Sequence, residues 1–338
     1  MPEPVRIALD AMGGDHGVSV IVPAACAYVA TDPGVELILV GLEDAIREQQ
    51  PQLPERVSIH PASQVVEMSD LPSQALRKKK DSSMRVAIDL VKQGEADACV
   101  SAGNTGALMA TARFVLKMLP YVDRPAIITA LPNISTQTWV LDLGANVDSS
   151  EHHLYQFAVM GSEQVAALSG IAKPRVGLLN IGEEEIKGNE QVKKANELLN
   201  RSDLNYVGYV EGDNIFDGSV DVVVADGFVG NIALKSSEGV ARMIRHFLKQ
   251  SFKRNLLSKI TALLAVPVIK CFAERIDPRR YNGATLLGLN GIVIKSHGGA
   301  DELSFQNAIG IAKKAVHTNI PSRIAAQVES HLEGIKEV

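Results

Sequence analysis

Short apolar runs of strand length recur along the chain and alternate with stretches of helical spacing. Between residues 82 and 93, for example, Met84, Ile88 and Val91 share one helical face, which predicts an amphipathic helix. The apolar runs that we expect to form strands cover residues 7–9, 37–40, 98–100, 126–129, 139–143, 176–180, 220–225 and 292–295. This alternation predicts an α/β fold with a largely parallel sheet covered by helices on both faces.

The length and composition limit what this fold can be. With 338 residues, the chain exceeds the size at which one core usually stops growing, so one large domain and two lobes are both open. No Pro/Gly/Ser-rich hinge separates two halves. A net charge of −5 argues against a nucleic-acid-binding protein. The longest apolar run, residues 260–273, is too short to span a membrane and contains Lys270.

The start of the chain and the cysteines favour a reducing, cytoplasmic location. Residues 2–10 run directly into a strand-like segment without the features of a signal peptide. Cys26, Cys99 and Cys271 lie far apart with no metal-ligand spacing, so we expect three buried, unpaired cysteines.

Two glycine-containing segments follow predicted strands and precede predicted helices. In LDAMGGDHG, residues 9–17, Gly13 and Gly14 allow backbone N–H groups to approach a ligand; a tight turn capped by Asp15 is an equal alternative. In SAGNTGAL, residues 101–108, the helix start is expected to form an anion nest, and simple capping by Asn104 or Thr105 explains the pattern as well. Neither segment is a dinucleotide-binding or P-loop fingerprint.

Three later segments place polar side chains at strand ends. LDLGANVD contains Asp142 and Asn146, which an Asx turn also explains. LLNIGEEEIKGN ends in Lys187, a compact charge suited to phosphate, followed by Asn189. In VVVADGFVGN, residues 222–231, we expect Asp226 to end a strand and Asn231 to open a long helix, with both facing one ligand crevice.

Three further features of the sequence have both a functional and a simpler structural explanation. His297 follows the last predicted strand and is a candidate for catalysis, although a lone histidine is more often structural. Residues 70–81 form a predicted loop with Arg77 and Lys78–80, a solvated basic loop or a contact for an anion or acidic partner. Glu151, His152 and His153 lack metal-site spacing, so no metal is expected.

The segment of residues 247–273 is a predicted helical arm. Phe252, Leu256, Ile260 and Leu263 recur at helical spacing beside basic residues, and Pro267 is expected to break or kink the run. A dimer interface, an anionic membrane surface and an acidic carrier protein are all compatible with such a helix.

Taken in order, seven segments resemble the bacterial phosphate acyltransferase family of the PlsX type. They are LDAMGGD, SAGNTGALMA, RPA at residues 124–126, LDLGAN, PRVGLLNIGEE with KGN, VVVADGFVGN and GATLLGLNGIVIKSHG. The chain departs from the family pattern at Asn282 and Gly299, where YGGA and a small polar residue are usual.

The resemblance implies an enzyme of phospholipid synthesis that moves a long-chain acyl group from acyl carrier protein to inorganic phosphate. It also implies a three-layer α/β/α fold like that of phosphotransacetylases and isocitrate dehydrogenases, here a single domain over residues 1–338 with the arm at 247–273. Members are homodimers at the membrane periphery that supply a membrane glycerol-3-phosphate acyltransferase, so we expect a cytoplasmic, peripherally membrane-associated protein without a cofactor.

This chemistry needs placement and charge stabilisation rather than a protein nucleophile. We expect backbone N–H groups at residues 13, 14, 104 and 106, with Lys187, to hold phosphate, Asn231 or Lys187 to bind the thioester oxyanion, and His297 to assist the departing thiol. The expected catalytic residues are Lys187, Asn231 and His297. The expected substrate-binding residues are Asp10, Gly13, Gly14, Asp15, Asn104, Thr105, Gly106, Asp142, Asn146, Asn189 and Asp226.

Three alternatives remain at this point. Transfer from acyl-CoA, as in phosphotransacetylases, differs only in the thioester donor. A dehydrogenase is disfavoured by the missing dinucleotide fingerprint. A non-catalytic carrier-binding or membrane scaffold is disfavoured by the number of polar groups at strand ends.

Overall fold

The computed structural model describes residues 3–275 and 277–336, without the side chains of residues 256, 257, 273, 274 and 331–336. The strands are β1 (Val5–Asp10), β2 (Val35–Gly41), β3 (Val57–Pro61), β4 (Ala98–Ser101), β5 (Ala126–Pro132), β6 (Gln137–Leu141), β7 (Val176–Leu179), β8 (Tyr206–Val210), β9 (Val222–Val224), β10 (Ala284–Leu287) and β11 (Ile292–Lys295). The helices are α1 (Val18–Thr31), α2 (Glu43–Gln49), α3 (Pro72–Lys78), α4 (Ser83–Gln93), α5 (Thr105–Leu116), α6 (Glu151–Ser169), α7 (Glu190–Asn200), α8 (Asn214–Asp217), α9 (Gly227–Lys253), α10 (Leu256–Leu264), α11 (Val266–Arg275), α12 (Glu302–His317) and α13 (Ile320–Lys336).

All eight apolar runs predicted as strands lie in strands of one 11-stranded sheet. Its order is β3-β2-β1-β4-β11-β10-β5-β6-β9-β7-β8. The prediction missed β3 and β8, the two edge strands, and β10, which has only four residues. β3 and β8 are only partly covered, with one buried residue in β3 and two in β8, so they lack the fully buried pattern of the central strands.

The strand directions divide the sheet into two parts. β10 is antiparallel to β11 and to β5, and β5 is antiparallel to β6, whereas the other seven pairings are parallel. As a result, the carboxyl ends of β6, β9 and β7 point opposite to those of β1, β4 and β11. This division decides where the polar residues at strand ends lie.

Two hydrophobic clusters cover the two faces of the sheet and confirm the three-layer α/β/α arrangement. Alternation along the central strands sends Ile7 and Leu9 to the cluster under α1, α6, α12 and α13, and sends Ala8 to the cluster under α4 and α5. Because both faces are buried, the central strands read as nearly continuous apolar runs in the sequence.

Three local predictions were wrong. Residues 70–81 are not a simple loop, since α3 forms within them with Pro72 in its first turn, a position that proline favours. Asn231 does not open α9, because Asp226 caps that helix and accepts a hydrogen bond from Val229 N. Asp15 does not cap α1, which starts after Gly17.

The arm region consists of the end of α9 followed by α10 and α11, which pack mainly on α9 and on each other. The predicted break near Pro267 is confirmed, because α10 ends at Leu264 and α11 begins at Val266. The predicted pattern at Leu256 lies outside the described side chains. Cys271 is exposed on α11 and Cys26 is half-buried, so only Cys99 is buried as predicted. Within the described residues, no helix combines the length and apolar content that crossing a bilayer requires.

Candidate functional site

The polar residues at the strand ends form two groups. The first loop cluster comprises residues 10–17, 101–106 and 295–301, after β1, β4 and β11. The second loop cluster comprises residues 142–148, 180–189 and 226–231, after β6, β7 and β9. Every residue that the sequence analysis selected for the site lies in one of these two clusters, but the structure does not bring them all together.

Asp10 lies at the base of the first loop cluster with its carboxylate buried. It accepts hydrogen bonds from Ser83 Oγ at 2.5 Å and Ser101 Oγ at 2.6 Å. Ser101 Oγ in turn accepts from Gly103 N at 3.1 Å. Burial raises the pKa of Asp10, while the two serine hydroxyls and the nearby Lys295 favour its charged form. Asp10 therefore fixes the loop after β4 from below.

Gly13 and Gly14 allow three loops to approach one another at backbone distance. A Cβ at Gly13 would lie 2.5 Å from Asp10 Oδ2 and 2.8 Å from Gly103 N. Gly14 has a φ of +85°, and a Cβ there would lie 2.8 Å from Gly298 O. Asp15 N also donates to Gly298 O at 2.8 Å. A side chain at either glycine would push the loops apart.

Lys295 is the functional candidate that the sequence analysis missed. Its side chain is only 9% exposed, and Nζ donates to Ala102 O at 3.1 Å and to Ser296 O. Burial lowers the pKa of Lys295 to about 8, although Asp10 and Asp15 favour its charged form, so the ammonium is largely protonated at pH 7. The sequence did contain a signal for this residue, since a lysine stands at the last position of a fully buried strand. A charged side chain without a partner rarely occupies such a position.

The amino terminus of α5 adds positive potential to the same place. Asn104 caps the helix by accepting from Ala107 N at 3.0 Å, as predicted, and its Nδ2 donates to Met68 O at 2.7 Å. The N–H groups of Thr105 and Gly106 precede any intrahelical acceptor, so they are available to an anion. At Gly106 a Cβ would lie 2.9 Å from Pro72 Cγ, so the missing side chain lets α3 pack closely.

His297 stands exposed above these loops with a defined orientation. Its backbone N donates to Asn282 Oδ1 at 2.9 Å, and its Nδ1 accepts from Gly299 N at 3.0 Å. Partial desolvation and the nearby Lys235 lower the pKa of His297, which favours the neutral imidazole. Because Nδ1 is an acceptor, Nε2 carries the proton and points a donor away from Gly299.

In the second loop cluster the carboxylate of Asp142 is committed to the protein's own backbone. Asp142 accepts from Ile127 N at 2.9 Å, Ala145 N at 3.0 Å and Asn146 N at 2.8 Å, and also from Asn146 Nδ2. Burial raises its pKa, which the backbone donors oppose. This is the Asx-type arrangement that the sequence left open, and Gly227 packs so closely on it that a Cβ would lie 2.6 Å from Asp142 Oδ2.

The remaining side chains of the second loop cluster are mostly exposed. Lys187 and Asn231 are exposed, whereas Asn189 caps α7 by accepting from Val192 N at 2.9 Å. Asp226, with its capping role, and Asn189 border a small open groove with otherwise largely apolar walls. Gln191 lines the same groove, and its buried Nε2 has no hydrogen-bond partner among the described residues.

The two clusters are separated by the sheet. β4 and β7 are six positions apart in the strand order, which corresponds to roughly 30 Å, and the nearest strands of the two clusters, β11 and β6, are three positions apart, with carboxyl ends that point in opposite directions. Helix α9 connects the clusters, since its first turn packs on Asp142 and its third turn carries Lys235, whose charge lowers the pKa of both Lys295 and His297. Within one chain, Lys187 is therefore not placed with Gly13 and Asn104 around a common phosphate.

No group of three or more His, Cys, Asp or Glu side chains with metal-binding geometry occurs in residues 3–275 and 277–336. His153 belongs to the segment that the sequence analysis considered for metal binding. Its Nδ1 accepts a hydrogen bond from Ser150 N and completes a capping box at the start of α6.

Comparisons with known proteins place this arrangement in a family. The sequence profile described as "Fatty acid synthesis protein" matches residues 5–323. The phosphate acyltransferase of Methylococcus capsulatus is 63% identical over 326 residues, covering 95% of this chain and 96% of the relative. The phosphate acyltransferase of Alkalilimnicola ehrlichii is 60% identical, with 98% of both chains covered.

Solved structures of the same fold are more distant in sequence. The EutD phosphotransacetylase from Staphylococcus aureus superposes with a TM-score of 0.59 at 18% identity, covering 93% of this chain and 94% of that one. A phosphotransacetylase from Streptococcus pyogenes gives a TM-score of 0.58 at 20% identity, covering 96% and 94%. These similarities confirm the predicted fold type.

Proposed function

The chain belongs to the fatty acid synthesis protein family and is an acyltransferase, and on this premise we propose that it transfers a long-chain fatty acyl group from acyl carrier protein to inorganic phosphate. The product is an acyl phosphate for phospholipid synthesis. The relatives at 55–63% identity that bear the name phosphate acyltransferase support this function.

The observation that carries the proposal is the construction of the first loop cluster. Three loops meet at backbone distance beside the amino terminus of α5, above the buried ammonium of Lys295. Free N–H groups at a helix start, together with a buried cation, form a site for a small anion. Inorganic phosphate fits this site because it carries the negative charge and the acceptor oxygens that such donors bind.

In the proposed reaction a phosphate oxygen attacks the thioester carbonyl carbon. A C–O bond forms, the C–S bond breaks, and the proton of hydrogen phosphate ends on the departing thiol. The protein has to hold the two reactants and stabilise the carbonyl oxygen as its negative charge develops. With Nδ1 held as an acceptor, His297 supplies an Nε2–H donor for that oxygen, while assistance to the departing thiol stays a prediction from the sequence.

The second loop cluster serves the acyl donor away from the reacting atoms. Lys187 and Asn231 have exposed polar ends, whereas the carboxylate of Asp142 is fully used in holding its own loop. The groove beside Asp226 and Gln191 offers apolar walls to the donor or its acyl chain. Lys187 and Asn231 thus contribute to donor binding rather than to phosphate binding.

The apolar face of α9 fits association into a homodimer. Val240, Met243 and Phe247 recur at intervals of three and four residues, and each is about half exposed in the single chain. Such spacing is typical of helices that pack against a second helix. A second copy of the chain would cover this stripe.

The arm fits a peripheral contact with the membrane. Leu263, Leu264 and Val268 on α10 and α11 are more than 70% exposed, and Lys259 and Lys270 lie on the same two helices. Apolar side chains bordered by lysines bind the interface of an anionic bilayer. This placement would deliver the acyl phosphate to a membrane glycerol-3-phosphate acyltransferase from a cytoplasmic enzyme.

The fold of the phosphotransacetylases favours acyl-CoA as the one alternative donor. The test follows thiol release and acyl phosphate formation from palmitoyl-acyl carrier protein and from palmitoyl-CoA, each with and without inorganic phosphate. The proposal predicts phosphate-dependent formation of both products from the carrier thioester. Products from the CoA thioester alone would identify acyl-CoA as the donor in place of the carrier thioester. Inactivity of the folded protein with both donors would contradict the function.

A further inference from the structure

A basic rim borders the first loop cluster on a chain that is otherwise acidic. It consists of Met68, Leu71, Arg77, Lys78 and Lys80, in and around α3. Arg77, Lys78 and Lys80 are exposed, and within the described part of the chain none of them forms an ion pair or a side-chain hydrogen bond. The whole chain carries a net charge of −5, so this concentration of unpaired cations is local.

The rim is held in a fixed shape. Lys79, between the exposed cations, donates to Val65 O at 2.7 Å and pairs with Asp70. Pro72 packs against Gly106 at the start of α5. Because one lysine of the run is used to anchor the segment, the remaining three cations are presented by an ordered surface rather than by a solvated loop.

The rim is also continuous with the proposed phosphate site. Asn104 Nδ2 donates to Met68 O at 2.7 Å and to Asp70 O at 3.2 Å, which ties the segment to the cap of α5. Met68 Cε lies 3.1 Å from the position that a Cβ on Gly298 would occupy, next to His297. A partner bound to the rim would therefore sit at the edge of the loops where the reaction takes place.

The chemical character of the rim favours a protein over a lipid surface. Leu71 is 59% exposed and Met68 43% exposed, which gives a small apolar centre beside three cations. The exposed apolar surface of α10 and α11 is larger and better suited to lipid. A small apolar contact with flanking charges is typical of a transient protein interface, in which charges set the association rate and the orientation.

We propose that the basic rim docks the acidic face of the carrier protein that delivers the acyl thioester. The inference rests on the proposed function, since it assigns the place where the donor of that reaction binds. An acidic partner is repelled by the net charge of the chain and attracted by the rim, so its approach is steered to the edge of the first loop cluster. The acyl group then enters beside His297.

The test reverses the three rim charges in the variant R77E/K78E/K80E and compares it with the matched control K173E/R201E/K314E. The control residues are also exposed and form no ion pair with another described residue, and both variants change the net charge equally. For each protein, kcat/KM is measured with palmitoyl-acyl carrier protein and with a small soluble acyl thioester, octanoyl-N-acetylcysteamine, at low and high salt.

The expected result is a loss of about tenfold or more in kcat/KM for the carrier thioester in the rim variant, less at high salt, with the small thioester unaffected. Equal values for the rim and control variants would overturn the proposal, as would an equal loss with both donors. A rim variant that instead loses only its binding to vesicles of anionic phospholipid would assign the rim to the membrane and overturn the docking role. A wild-type protein inactive with every thioester would contradict the proposed function itself.

Discussion

The two loop clusters have similar sequences but different physical constructions. In the first, buried groups such as Asp10 and Lys295 fix loops whose outer N–H groups stay free. In the second, Asp142 uses its carboxylate on backbone donors of its own loop, and the exposed side chain of Lys187 forms no hydrogen bond or ion pair among the described residues. Gly, Asp and Asn at a strand end thus mark a turn, and only the surrounding burial shows whether the turn leaves donors for a ligand.

We expect the largest effect from Gly13→Ala, because the added methyl group disrupts the close packing of loops in the first loop cluster. The added methyl would lie 2.5 Å from Asp10 Oδ2 and 2.8 Å from Gly103 N, so the loops must separate. We expect phosphate-dependent turnover to fall about 10²- to 10³-fold. The control is Gly212→Ala, where nothing lies within 4 Å; equal turnover of the two variants would contradict the account.

Lys295→Met tests the buried charge and is expected to lower kcat/KM for phosphate about 10²-fold. The ammonium is present below its pKa of about 8 and lost above it, so wild-type kcat/KM for phosphate should decline as the pH rises through about 8. This decline should be absent from the residual activity of the variant. An unchanged pH profile in the variant would remove Lys295 from phosphate binding.

Lys187→Ala is expected to have a smaller effect, raising KM for the acyl donor about tenfold with little change in KM for phosphate. Mixed dimers of Lys187→Ala and His297→Ala chains, in the homodimer proposed above, test whether one chain supplies both clusters of a site. If it does, each site carries one substitution, and at donor concentrations below KM the activity does not exceed the mean of the two homodimeric variants. Recovery of activity in the mixed dimers would show instead that the clusters of two chains meet across a subunit interface.

Substitution of Asp142 is expected to have the smallest effect on catalysis but a clear effect on folding stability. Asp142→Asn replaces one acceptor oxygen with an amide that faces backbone N–H donors. We expect the free energy of unfolding in urea to fall by about 1–3 kcal/mol. Asp213→Asn, at an exposed residue without a side-chain capping bond, should leave the unfolding midpoint within error; equal midpoints for both variants would show that Asp142 holds no loop.

The sequence predicted the fold better than it predicted the site. Buried central strands need apolar residues on both faces, so their runs were recognisable, whereas the edge strands β3 and β8 were not. Strand direction reverses across the three antiparallel pairings β11–β10, β10–β5 and β5–β6, and the β10–β5 pairing joins segments distant in sequence, so it has no local sequence signal. That reversal separates Lys187 from Gly13, and it also explains why the sequence suggested one crevice where the structure has two.

Lys295 escaped the sequence analysis for a different reason. A lysine at the end of a strand usually reaches solvent, and only the packing of the loops after β1 and β4 encloses this one. Asn104 shows the opposite case, since a helix cap depends on neighbours in sequence and was predicted correctly. Local hydrogen bonds are predictable from sequence, whereas burial of a charge requires the tertiary structure.

The most direct test of the central claim is a calorimetric titration of inorganic phosphate into the purified Lys295→Met and Lys187→Ala variants, with wild-type protein as reference. We expect binding to be lost in Lys295→Met and retained in Lys187→Ala, because the proposed phosphate site lies in the first loop cluster. Retained binding in Lys295→Met together with lost binding in Lys187→Ala would contradict it and move the phosphate site to the second loop cluster.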